Sequence, residues 1–266
     1  MKVASIRVGA CFRTIGWFGL LIATCLTGCR APSETNKQIQ IYAASSMKEV
    51  MLSAKQAFEA QEPDAKLVFN FAGSQVLRLQ IEQGAPADLY ISANATHLQA
   101  LKNKGLIQKE RILAKNELVV ITPADNPGQI EQLKDLSLAS RIVIGTAQSP
   151  IGIYTRQLLQ KATTQWGPSF KKHVMTKVVS EENNVRLIRA KITLGAADAA
   201  LVYRTDTLNA PKIRTVTIPP NLNIKAAYVV ALTNNAKHNP TARAFFQYLA
   251  SAQGLALLDQ HGFVVN

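Results

Sequence analysis

Two serine-bearing turns are the segments of this chain best suited to chemistry. Ile39-Gln40-Ile41-Tyr42-Ala43-Ala44 runs into Ser45-Ser46 before Met47-Lys48-Glu49-Val50, and Leu67-Val68-Phe69-Asn70-Phe71-Ala72-Gly73 runs into Ser74 before Gln75-Val76-Leu77-Arg78. In each, a β-prone apolar run stops at tiny residues, and serine stands where the first N–H groups of a helix lack an intrahelical acceptor. Such a turn receives anions, because hydroxyl and backbone N–H donors point outward and the helix dipole favours negative charge. Two of them on neighbouring strands can present donors to one oxyanion without using a lysine. Serine is equally a common helix cap that binds nothing, so the weight lies in the repetition. Gly84-Ala85-Pro86-Ala87-Asp88-Leu89-Tyr90-Ile91-Ser92-Ala93 adds a third small polar turn behind a buried strand.

Two further turns lie later in the chain. Ser149-Pro150-Ile151-Gly152 leads into a helix, as does Glu182-Asn183-Asn184-Val185, and both would aim backbone N–H groups at a ligand. Every contact of this kind is a donor. An anion without a proton of its own therefore fits better than one that carries a proton, which would meet no acceptor. Asp88 and Asp198 are the carboxylates that could spoil the argument, and they read as a loop-ordering residue and a surface or hinge residue. Hydrolysis is the rival chemistry, with Ser45, Ser46 or Ser74 as nucleophile and His97, His173, His238 or His261 as base. No Gly-x-Ser-x-Gly elbow or triad-like motif supports it. No His-x-x-x-His or similar spacing suggests a resident metal.

The elements that must position these turns alternate along the chain. Strands are expected at Ile39–Ala44, Lys66–Phe71, Asp88–Ser92, Leu118–Thr122, Arg141–Gly145, Val174–Val179, Ala199–Tyr203 and Ala226–Leu232. Helices are expected near 46–61, 75–83, 95–104, 152–163 and 184–194, with C-terminal helices between Asn239 and Gln260. The pattern predicts an α/β architecture of two lobes, 39–120 with 226–266 and 121–225, joined by two crossings that form a hinge. In such an architecture ligands bind in the cleft at the strand ends.

Ala43-Ala44-Ser45-Ser46, Phe71-Ala72-Gly73-Ser74 followed by Gln80-Ile81-Glu82, and Gly84-Ala85-Pro86-Ala87-Asp88 resemble the molybdate-binding proteins of ABC importers. The resemblance continues through Leu118-Val119-Val120, Pro150-Ile151-Gly152-Ile153-Tyr154, Glu182-Asn183-Asn184-Val185-Arg186 and Leu201-Val202-Tyr203 to Gln260-His261-Gly262-Phe263. It implies a type II periplasmic-binding-protein fold with a mixed sheet in each lobe. It also implies a receptor that binds molybdate or tungstate, performs no catalysis, needs no cofactor, and delivers its ligand to an ABC permease as a monomer. By matching motifs it places the oxyanion against the hydroxyls of Ser46 and Ser74, the amides of Ile151 and Val185, and the hydroxyl of Tyr203, so that molybdenum enters only as bound molybdate. The chain departs from the family at Gly73 and Gln75, where serines are common, and at Ile151, which replaces a small residue. Another oxyanion such as sulfate is the alternative cargo.

The first residues address the chain. Lys2, Arg7 and Arg13 precede an apolar run from Ile15 to Leu26, and Leu26-Thr27-Gly28-Cys29 has the form of a lipobox. Residues 1–28 read as a lipoprotein signal peptide, Cys29 as the lipidated residue, and 29–38 as a tether, which places the protein outside the cytoplasm on a membrane. The other cysteines, Cys11 and Cys25, lie in the leader, so the mature body has no thiol for a disulfide or a metal. The formal net charge of +13 includes three leader cations and no leader acid, leaving +10 on the rest. Those cations are scattered and no nucleic-acid-binding motif accompanies them, which leaves an anionic ligand or an anionic membrane surface as the partner and excludes nucleic acid.

Overall fold

The computed structural model describes residues 37–265. The expected signal peptide, Cys29 and most of the expected tether lie outside the described residues. Among the described residues, no helix is long and apolar enough to cross a membrane.

Among the described residues, nine strands and eight α-helices follow one another. β1 (Gln38–Ala44), β2 (Lys66–Ala72) and β3 (Leu89–Ser92) form a parallel group in the order β2-β1-β3, joined by α1 (Lys48–Gln61) and α2 (Ser74–Glu82). α3 (Ala95–Asn103) then leads to the long β4 (Ile107–Pro123). A second parallel group follows: β5 (Ile142–Gly145), β6 (Val178–Glu182) and β7 (Ala199–Tyr203), with α4 (Pro150–Trp166), α5 (Pro168–Thr176) and α6 (Val185–Thr193) between them. β8 (Ile213–Thr217), β9 (Lys225–Thr233), α7 (Pro240–Tyr248) and α8 (Ala252–Gln260) complete the chain.

β4 serves both groups. Its residues Ile107 to Glu117 pair antiparallel with β9, which in turn pairs with β3, whereas Leu118 to Pro123 pair with β7 and β8. All nine strands therefore belong to one mixed hydrogen-bonded network, flanked by helices. Leu118, Val119, Val120 and Ile121, where β4 changes partners, are buried, as are Ala226, Tyr228 and Val230 of β9.

Three expectations about elements differ from the structure. The run 174–179 divides between the end of α5 and the start of β6, because Pro168 supplies the first helical residue and Val174 and Phe170 fall on one buried face. β8 was not expected; it is half-exposed and its only pairing is with β4. β4 begins eleven residues before the expected Leu118, its early part carrying exposed Lys109, Glu110 and Gln108. These residues obscure the apolar pattern because one edge of that stretch faces solvent.

Candidate functional site

Every turn that the sequence singles out follows the carboxyl end of a strand. β1, β2 and β3 end beside Ser45-Ser46, Gly73-Ser74 and Ala93, and β5, β6 and β7 end near Ser149-Pro150-Ile151, Asn184-Val185 and at Tyr203. These residues line one small cavity, so that Ser46, Ser74, Ile151, Val185 and Tyr203 come together. It is small, with a volume of about 20 Å³. Among the described residues, no lysine, arginine, histidine or carboxylate lines it.

The two first-half serines are not ordinary caps. Ser45–Met47 form a 3-10 turn ahead of α1, and neither that turn nor α1 has a side-chain cap. Ser74 is the first residue of α2, whose N-cap position is held by Gly73. Ser46 Oγ instead lies 2.8 Å from Tyr228 Oη, and Ser74 Oγ accepts a 3.2 Å bond from the Ala93 amide. With Tyr228 as donor, both serine oxygens have a proton-accepting bond satisfied within the protein, and each hydroxyl hydrogen is left to point into the cavity. Tyr90 Oη donates to the Ser74 carbonyl at 2.8 Å and fixes the backbone there.

In the second half the capping side chains sit one or two residues before the cavity amides. Ser149 Oγ accepts from the Gly152 amide at 3.1 Å and donates to the Thr146 carbonyl at 2.9 Å. Asn184 Oδ1 accepts from the amides of Arg186 and Leu187 at 3.0 and 3.2 Å. These caps leave the amides of Ile151 and Val185, in the first turns of α4 and α6, without a protein acceptor. Gly152 must be glycine, since a Cβ would strike the carbonyls of Thr146 and Gly145. The bulky Ile151 is 1 % exposed and belongs to the buried core while also lining the cavity.

Tyr203 supplies the remaining polar atom. Its ring meets Tyr228 edge-on at 5.7 Å and Tyr154 at 6.4 Å, and its hydroxyl is buried with no hydrogen-bond partner. An unpartnered buried hydroxyl is costly, and here it borders a cavity lined by other donors. Burial pushes the phenol well above its ordinary range, and the acidic groups of Tyr228, Tyr154 and Asp206 nearby add to that, so Tyr203 keeps its proton. Burial likewise holds Tyr228 protonated.

The carboxylates of concern lie elsewhere. Asp88 accepts from the Gln40 amide at 2.8 Å and from Asn235 Nδ2 at 2.7 Å, which orders its loop, and burial raises its pKa. Asp198 is buried, not a surface group: it accepts from the amides of Ser140 and Arg141 and pairs with the Arg141 guanidinium at 2.8 Å. Asp206 lies behind the cavity, where burial raises it to about 7 against the Tyr203 amide and the Arg189 and Arg186 charges, which lower it. Neither Ser46 nor Ser74 meets a histidine. His97 bonds the Gln148 carbonyl at 2.9 Å, and His261 lies 3.0 Å from Ser53, so no nucleophile and base converge on the cavity. Tyr228 is the contributor that sequence reasoning missed; no local signal marks it, because its partner lies far along the chain, whereas the Ala93 amide comes from the third small polar turn.

Comparison with known proteins places the chain in context. A family model described as bacterial extracellular solute-binding protein matches residues 39–264. The molybdate-binding protein ModA of Mycobacterium tuberculosis is 30 % identical over 235 residues, 87 % of this chain and 86 % of that protein. Among solved structures, the periplasmic molybdate-binding protein of Azotobacter vinelandii is similar with a TM-score of 0.74 and 21 % identity, covering 86 % of this chain and 99 % of the other. The sulfate-binding protein of Mycobacterium tuberculosis has the same TM-score of 0.74 at 18 % identity, covering 85 % of this chain and 86 % of the other. These last two likenesses are of fold.

Proposed function

The chain belongs to the family of bacterial extracellular solute-binding proteins, transport receptors and not enzymes, and from that premise we propose that it captures a tetrahedral oxyanion, molybdate or tungstate, for an ABC importer. The observation that carries this reading is the cavity of about 20 Å³ in which the buried, unpartnered Tyr203 hydroxyl meets Ser46, Ser74 and the amides of Ile151 and Val185. A drug-sized organic ligand needs far more room, of the order of several hundred Å³. A compact dianion would be held by neutral donors and by the N-terminal ends of α4 and α6, its charge spread over fixed dipoles without an ion pair.

Residues 39–120 with 226–266 form one lobe in this reading and 121–225 the other, with the β4 and β9 crossings as the hinge. The ligand draws the lobes together, and the permease recognises the closed form. Cys29 carries the lipid that holds the monomeric receptor on the outer face of the membrane. The molybdate-binding relative supports the choice of cargo. Sulfate is the second reading, favoured by the sulfate-binding protein that shares this fold. Calorimetric titration with molybdate, tungstate, sulfate and phosphate tests the proposal. Binding of molybdate or tungstate ahead of sulfate, with phosphate weak, is expected, and preferential binding of phosphate would overturn it.

A further inference from the structure

Two side chains from the first half of the molecule reach to backbone carbonyls of the second, and both do so beside the cavity. Gln75 Nε2, on α2, donates to the Asn183 carbonyl at 2.7 Å. The ring Nε2 of His97, on α3, lies 2.9 Å from the Gln148 carbonyl and donates to it in the corresponding tautomer. The two acceptors are placed alike. Asn183 lies just ahead of Val185 and Gln148 just ahead of Ile151, so each bond grips one of the two second-half loops immediately before its unpartnered amide.

The approach is built into the chain. A Cβ on Gly73 would collide with the Asn183 carbonyl, so glycine lets the α2 turn sit directly against the loop before α6. Gln75 and His97 are 6 % and 7 % exposed, and neither lines the cavity. On the reading of the site given above, we propose that Gln75 and His97 are paired clasps that hold the two halves closed and set how long a bound oxyanion stays. They act on the ligand only through the loops they hold, which makes them positioning residues.

The grip is weak by construction. Gln75 Oε1 is buried without a partner, so the closed form carries an unsatisfied acceptor that opening returns to solvent, and the net benefit of the clasp is small. A receptor that must surrender its cargo needs a closure of this kind. Arg186 adds a bond to Glu49 at 2.7 Å across the same divide, but Glu49 is more than half exposed and the pair is screened.

Stopped-flow capture and release of molybdate, tungstate, sulfate and phosphate by the full chain tests the clasps. Gln75→Leu and His97→Leu are each expected to speed release about fivefold, the worth of one net hydrogen bond, with capture within about twofold of wild type. His97→Gln, which retains an N–H donor, is expected to bring release back toward the wild-type rate. Wild-type release rates in both leucine variants would overturn the clasps alone, as would failure of His97→Gln to slow release relative to His97→Leu. A loss of capture in step with a fall in melting temperature would also overturn them, since it would mark a general packing role. A wild-type protein that binds none of the four anions would overturn the oxyanion reading and the clasps together.

Discussion

Tyr228 Oη and Ser46 Oγ lie 2.8 Å apart although 182 residues separate them. The bond joins β9 to the first serine turn, and with Tyr228 as donor it leaves the serine proton to point into the cavity. Tyr228→Phe leaves the ring packing against Tyr203 and Phe263 but removes the donor to Ser46. Molybdate affinity should fall about three- to tenfold, the effect of one neutral hydrogen bond acting through a neighbour. Calorimetry on the variant measures it, and unchanged affinity would mean that Ser46 needs no such orientation.

Ser46→Ala and Ser74→Ala each delete a hydroxyl donor to a dianion. A bond of that kind contributes about 1.5–3 kcal/mol, so each variant should bind roughly ten- to over a hundredfold more weakly. Ser74→Asp should be worse than Ser74→Ala, because it sets a negative charge against the ligand in a cavity without a cation. Full affinity in both alanine variants would show that the anion binds elsewhere.

Tyr203→Phe should split binding from stability. The hydroxyl is buried and unpartnered in the protein alone, so its removal should stabilise the unliganded fold by about 1 kcal/mol while weakening molybdate binding. Urea unfolding and titration of the same variant give the two signs. A loss of stability without ligand would show that the hydroxyl already has a partner.

Asp206 makes stability depend on pH. Burial raises its folded pKa to about 7 from 3.8, so between these values the native state holds a proton that the unfolded state has lost. Stability from this group is complete below about pH 4 and declines as pH rises to 7. Asp206→Asn removes the titration, and its stability relative to wild type should improve by on the order of 2 kcal/mol between pH 5 and pH 8. His97, whose pKa burial lowers, is common to both proteins and cancels. Denaturant melts at the two pH values check the difference; a constant offset would mean that Asp206 stays ionised.

Cys29→Ser should move the protein from the membrane fraction to the soluble fraction and leave oxyanion binding unchanged. Fractionation of cells expressing the two forms is the measurement. Retention of the serine variant on the membrane after leader cleavage would exclude lipidation at that residue.

The turns were legible because their signal is local. An apolar run that stops at Ala44 or Gly73 and a proline at the first position of α4 are properties of neighbouring residues, and they placed Ser46, Ser74 and Ile151 around one cavity. The strands β1, β7 and β9 were legible for the same reason, each being an apolar run closed by a turn. What escaped depends on distant partners. Exposed Lys109 and Glu110 belong to a strand only because β9 lies beside them, and β8 is held by a single neighbour. The histidine that spans to Gln148, the glutamine that spans to Asn183 and the tyrosine that orients Ser46 have no signature at their own positions, since each acquires its role from a carbonyl or hydroxyl more than fifty residues away.

The cavity's small volume bears on how one dianion is told from another. An ion seated among these walls, in a cavity of about 20 Å³, leaves most of its hydration shell outside. The cost of that dehydration rises as the same charge is confined to a smaller sphere. Sulfate therefore gives up more than the larger molybdate or tungstate for the same set of donors. On the proposed reading, the receptor would rank its ligands by what each must surrender to bulk solvent, without a wall that clashes with the wrong one.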